Sequence, residues 1–247
     1  MSKTPAGVIL FEGPSQIDGK PIVVIATGLA KASRNAKTGA MVQTYIIRAD
    51  IHPLEAVRSG EDASICGTCP HRGDGTGKDR SCYVTLIHGP RTVFEAYKRG
   101  VYPKVTAAEG RALLAGRMVR LGTYGDPAAA PFSIWSYVTG AAQGWTGYTH
   151  QWRAIPAMWS RLVMASADSL ADVSEAQAKG YRTFRVTASE GENVKGLEVI
   201  CPASEEAGKK TECAACRACM GTSGKAKVSI AIAAHGGGAK HARKRAS

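Results

Sequence analysis

The chain has 247 residues, 44% of them hydrophobic and 21% charged, a balance that suits a folded globule and excludes a disordered polyelectrolyte. No apolar run approaches the roughly 18 residues of a spanning helix, and MSKTPAGVILFEGPS lacks the basic-then-apolar order of a secretory signal, so a cytoplasmic protein with reduced thiols is expected. Formal net charge is +12, about a third of it from Lys240, Arg243, Lys244 and Arg245, so residues 236–247 read as a basic flexible tail able to meet nucleic acid or an acidic partner protein.

Residues 21–28 (PIVVIATG) and 41–49 (MVQTYIIRA) are rich in β-branched residues and flank a polar loop, which predicts an antiparallel hairpin. Residues 50–82 are crowded with Gly, Pro and Asp and show little periodicity. A loop of that length in a compact domain needs an organiser, and a metal is the expected one. From residue 83 strands and helices alternate. YVTLIH (83–88) reads as a strand and PRTVFEAYKRG (90–100) as a helix opened by proline and closed by glycine. Thr106 and Glu109 form a capping box before a short helix ending near Gly116. Further strands are predicted at 117–122, 145–150, 161–166, 181–187, 196–202 and 227–235. Helices are predicted over 131–141, near IPAMW, and over 170–179 with Ser169 as cap.

This alternation predicts a single α/β domain over residues 1–235, built as an incomplete (β/α) barrel or an open, mostly parallel sheet with an N-terminal β-hairpin. Cysteine-rich metal-binding loops are expected at 60–82 and 201–221. No GxGxxG and no GxxxxGK[ST] occurs, so dinucleotide and P-loop readings lack support.

The seven cysteines fall into two groups. Cys66, Cys69 and Cys82 form the first, and Cys201, Cys213, Cys216 and Cys219 the second. Thiolates two residues apart can converge on one ion or cluster without stretching the backbone. The run Cys213-x-x-Cys216-x-x-Cys219, with the remote pair Cys201-Pro202, has the tripod spacing of ferredoxin loops. An iron–sulfur cluster of the [4Fe–4S] type is therefore the expected cofactor, with zinc as the alternative. The first group leaves a fourth position for His71 or for a substrate.

Polar residues recur where parallel strands should end: His88, Asp126, His150, Asp168 and Thr187. Loops at the carboxyl ends of strands line ligand sites in α/β folds, which makes Asp126, His150 and Asp168 the candidate catalytic residues. Arg120 and Arg185 lie within strands, where a buried cation needs a partner; Asp126 and Asp168 are candidates, and a bound anion is another. Trp135, Trp145, Trp152 and Trp159 are expected to pack in the core.

The segments NAKTG (35–39), CGTCPHR (66–72), RLGTYGD (120–126), WTGYTH (145–150), CPAS (201–204) and CAACRAC (213–219) resemble the mycobacteriophage gene 88 protein family. The resemblance covers most of residues 30–220. It implies a phage-encoded protein with a barrel-like fold, its key positions being the cysteines with Asp126 and His150, but it supplies no reaction. The combined expectation is an iron–sulfur phage protein, redox-active or enzymatic. Two alternatives stand beside it: a zinc-stabilised nucleic-acid-binding protein, and a virion or assembly component stiffened by a cluster.

Overall fold

The computed structural model describes residues 4–33 and 35–246. Nine strands form one sheet: β1 (Gly7–Pro14), β2 (Pro21–Thr27), β3 (Val42–Arg48), β4 (Met118–Tyr124), β5 (Gly144–Thr149), β6 (Met164–Ala167), β7 (Thr183–Thr187), β8 (Glu198–Ile200) and β9 (Ser229–Ala233). Their order is β1-β2-β3-β4-β5-β6-β7-β9-β8, so β1 and β8 are edges and the sheet does not close. The β1/β2 and β2/β3 pairs are antiparallel, and every pairing from β3/β4 onward is parallel. The predicted hairpin is β2 and β3. β1, which the sequence reading did not assign, buries Val8, Ile9 and Leu10 and adds a third antiparallel strand.

Between β3 and β4 the chain makes α1 (Pro53–Ser59), α2 (Ala63–Cys66), α3 (Gly89–Lys98) and α4 (Ala107–Leu114). Then come α5 (Phe132–Thr139) before β5, α6 (Leu170–Ala178) before β7, the single turn α7 (Cys213–Cys216) before β9, and α8 (Ala239–Ala246) within the basic C-terminal segment. The predicted caps are present: Thr106 and Glu109 close a reciprocal box on α4, and the Ser169 hydroxyl accepts the amide of Asp172 at the start of α6.

Residues 83–88 do not form the predicted strand. Arg80 Nη1 donates to Val84 O at 3.0 Å and to the preceding Cys82 O at 3.3 Å, the carbonyls of Thr85 and Leu86 accept the amides of His88 and Arg91, and Tyr83 and Ile87 stay exposed. Tertiary contacts here override β propensity.

The two-residue period of the strands divides the sheet into two faces. One parity packs beneath the helices, where Val119, Leu121, Ala165, Trp135, Val138 and Leu114 form the main core. The other parity faces a cavity of about 590 Å³, with Arg120 and Tyr124 from β4, Thr146 and Tyr148 from β5, Phe184 from β7 and Ile232 from β9 on its floor. The tryptophans serve packing as expected, and three of their indole N–H groups are bonded to the carbonyls of Pro127, Leu162 and Ser166. Arg185 pairs with neither predicted aspartate. It meets Glu198 at 2.7 Å, joining β7 to β8 across β9, and both side chains are almost fully buried.

At the end of β4 the chain turns sharply on Gly125. Its φ is +82°, and a Cβ there would lie 2.6 Å from the Ile46 carbonyl oxygen, so only glycine fits. That turn delivers Asp126 to the cavity rim.

Candidate metal centre

Asp126, His150 and Asp168 follow β4, β5 and β6 directly, at the carboxyl edge of the parallel sheet. Their turns are tied to one another. The Asp126 carboxylate accepts the Ala128 amide at 2.9 Å and the His150 amide at 2.8 Å, and its own amide donates to Ile65 O at 2.6 Å. Burial raises the Asp126 pKa, while these amide donors work in the opposite direction. Trp152 donates its indole N–H to Ser166 O at 2.9 Å, linking the turn after β5 to β6. Arg153 stacks on the Trp152 ring at 3.8 Å and reaches Asp172 and Glu175 of α6. Asp172 in turn accepts the Asp168 amide at 2.9 Å.

His71 arrives from the long loop, in a 3₁₀ turn spanning Pro70–Arg72. Its carbonyl accepts the amides of Ser81 and Cys82, and its Nδ1 lies 2.7 Å from Ser81 Oγ. With Nδ1 engaged by that hydroxyl, Nε2 is left to face the cavity. Arg72 ties this loop together. Its guanidinium donates to Asp62 Oδ1 at 2.6 and 3.0 Å and to the Gly60 and Gly67 carbonyls. Gln151 adds a second tie, donating to Cys66 O at 3.0 Å and accepting from the Thr68 amide and hydroxyl.

These elements bring His71, His150 and Asp168 together, with one ligand atom from each within 4.8 Å of the others. His71 Nε2 is 3.0 Å from Asp168 Oδ1, and His150 Nε2 is 3.3 Å from Asp168 Oδ2. Ligands about 2.0–2.1 Å from a zinc ion are spaced about 3.3 Å along the edges of a tetrahedron. Both Nε2 atoms are buried yet neither is aligned for a hydrogen bond. Two imidazole nitrogens and one carboxylate facing one another at these distances form a donor set of the kind that holds a metal. Burial opposes protonation of His150, but Cys69 and Asp168 against its ring outweigh it and raise its pKa well above the ordinary value. Asp168, although burial works against ionisation, is held far below the usual carboxylate range by the two histidines.

The cysteines do not behave as the sequence suggests. All seven line the same cavity, the first group and the second alike, and all are free thiols. Among the described residues no three of their sulfurs approach within 4.8 Å of one another; only His71, His150 and Asp168 meet that condition. In the metal-free chain, burial pushes the Cys66, Cys82, Cys201 and Cys213 thiols up and that of Cys219 to about 12. The second loop, like the first, is held by an arginine: Arg182 donates to the carbonyls of Ala218, Gly221 and Val228. The expectation of a [4Fe–4S] protein is thereby overturned in favour of a histidine–carboxylate site. Nothing among the described residues supports the expectation of a nucleic-acid-binding or viral role. His71, expected to complete the Cys66, Cys69 and Cys82 set, lies with His150 and Asp168 instead. His88 and Thr187 stay outside the ligand set.

Sequence reasoning missed the supports of the site. Gln151 and Ser81 adjoin His150 and Cys82 in the chain, and that adjacency is the only signal either carries. No family model matches the chain, and no curated protein or solved structure is significantly similar to it. The likeness to the gene 88 proteins rests on the quoted motifs alone. No helix among the described residues is long and apolar enough to cross a membrane.

Proposed function

We propose that the protein binds a divalent transition metal of the zinc type through His71, His150 and Asp168 and uses it on a small molecule admitted to the adjoining cavity. The observation that carries this reading is the convergence of two buried Nε2 atoms on one carboxylate, His71 at 3.0 Å and His150 at 3.3 Å from its two oxygens. Three protein ligands leave a coordination position open, the arrangement of catalytic rather than structural zinc. An ion so held supplies Lewis-acid chemistry. Asp168 has 31% of its side chain exposed against 15% for each histidine, which opens the site on the carboxylate side.

The chain's own residues divide the remaining work. Ser81 fixes the orientation of the His71 ring, Asp126 fixes the backbone of His150, and Cys69 lies within hydrogen-bond reach of the His150 ring. The apolar walls of the cavity strengthen electrostatic interactions inside it.

Cobalt(II) titration of chelator-treated protein tests the reading. One equivalent should bind, with the visible bands of a low-symmetry nitrogen–oxygen site and no thiolate charge-transfer band. His150→Ala and Asp168→Ala should each abolish them. Two imidazoles and a carboxylate also suit ferrous iron, so competition among zinc, ferrous iron and manganese identifies the preferred ion. Undiminished cobalt binding in both variants would defeat the assignment.

A further inference from the structure

The other part of the same cavity is cationic. Arg120, in the middle of β4, turns into it and donates from Nη2 to the Tyr83 hydroxyl, with its guanidinium carbon 5.9 Å from the centre of the Tyr148 ring. The remaining inward-facing arginines are accounted for. Arg48, Arg72 and Arg185 meet carboxylates, and Arg182 is spent on carbonyls. Arg120 has no carboxylate within ion-pair reach among the described residues. Arg120 is half-buried in the cavity wall, so its guanidinium is partly shielded from water yet open to the cavity, where an anion can meet it.

Its surroundings are built for one. Thr146, opposite Arg120 in the β4/β5 register, presents a buried Oγ1 with no hydrogen-bond partner, and so does Thr38 on the adjoining wall. Half-buried Lys37, whose pKa burial lowers, brings its Nζ to 3.0 Å from His235 Nε2 on the same wall. The nearby thiols do not supply the missing charge, because burial raises the pKa of both Cys213 and Cys219. Of the six buried side-chain atoms without partners among the described residues, five belong to residues lining this cavity. Two of these are the metal-facing histidine nitrogens and two are the threonine hydroxyls of the cationic part.

We infer that Arg120, with Thr146 and Thr38, is a recognition subsite for an oxyanion group, carboxylate or phosphate, carried by the small molecule whose other end reaches the metal centre. Arginine suits this role because its planar fork bonds two oxygens of either group at once. His150 lies four positions beyond Thr146, the register partner of Arg120, about 13 Å along the strand direction, so the anion serves as a handle remote from the reacting end. The inference rests on the metal reading only in saying which end of the ligand reacts.

The test uses the full chain after chelator treatment, so that no metal can capture the anion, with phenyl phosphate and benzoate as probes followed by calorimetry. One of the two should bind with unit stoichiometry, and the preferred probe identifies the group. Arg120→Met should weaken that binding about tenfold or more, Arg120→Lys should restore part of it, and Thr146→Val should cost about threefold. Should Arg120→Met fail to fold, Thr146→Val and Thr38→Val, which add no buried charge, read the same subsite. His150→Ala should leave anion binding unchanged. Failure of both probes, wild-type affinity in the arginine and threonine variants, or an equal loss in His150→Ala would each overturn the inference. Failure of the metal reading alone would show as absent cobalt binding with anion binding intact.

Discussion

The carboxylate of Asp126 accepts the backbone amide of His150 at 2.8 Å, so the end of β4 holds the histidine that follows β5. The same carboxylate serves the Ala128 amide, which makes it the acceptor for two N–H groups at the metal centre's edge. Asp126→Ala removes that acceptor from both donors, each costing about 1–3 kcal/mol if left unsatisfied in the interior. Urea unfolding should show a loss in that range, and a zinc competition assay should show affinity reduced about 10- to 100-fold, as for other residues that orient metal ligands. Unchanged zinc affinity in a folded Asp126→Ala protein would remove Asp126 from the site.

Gly125 is the hinge that makes this contact possible. A methyl group added there would meet Ile46 on β3, at its carbonyl oxygen and at its Cβ, and the backbone already sits at φ +82°. Gly125→Ala should destabilise the protein by about 2 kcal/mol or more. Thermal unfolding measures it, with Gly180→Ala as comparison: that glycine has a similar φ but open space around its Cβ, so its loss should be smaller.

The Arg185–Glu198 pair tests the far side of the sheet. Arg185→Met strands a fully buried carboxylate that also accepts the Val194 amide, and should cost about 3–5 kcal/mol. The double replacement Arg185→Met with Glu198→Gln should recover much of that loss. A single variant as stable as the parent would show the pair to be dispensable.

Metal binding should be linked to protons in a defined direction. In the metal-free protein His150 is raised above its unfolded value of about 6.5 by Asp168 and Cys69. Its contribution to stability is complete below that unfolded value and is lost as pH rises through the folded one. Asp168 contributes in the opposite sense: its share is present above the unfolded carboxylate value and is lost as pH falls through its depressed one. A metal takes only the neutral imidazole, so zinc uptake near pH 7 should release about one proton. Calorimetry in two buffers of different ionisation enthalpy measures it, and zero release would contradict the protonated state assigned to His150.

Much of this architecture was legible in the residues. The β-branched runs marked β2 through β9 to within a few residues, and the alternation with capped helices implied the parallel sheet. The rule that ligand groups gather at the carboxyl ends of strands picked out Asp126, His150 and Asp168. Residues 83–88 misled because YVTLI has strand composition, whereas Arg80 takes the Val84 carbonyl and local turn bonds take those of Thr85 and Leu86. The cysteines misled for a related reason. A two-residue spacing is satisfied equally by a helical turn, and Cys213–Cys216 is one. Nothing in sequence distance announces that Arg72 and Arg182 hold the two loops, or that His71 meets Asp168, because those pairings exist only once the loops have folded.

The most direct measurement is anomalous diffraction at the zinc edge from crystals of the full chain grown with zinc. One strong peak should lie between His71 Nε2, His150 Nε2 and the Asp168 carboxylate, each about 2.0–2.2 Å away, with no peak among the cysteine sulfurs. A peak coordinated by Cys201, Cys213, Cys216 and Cys219 with the histidine site empty would contradict the account.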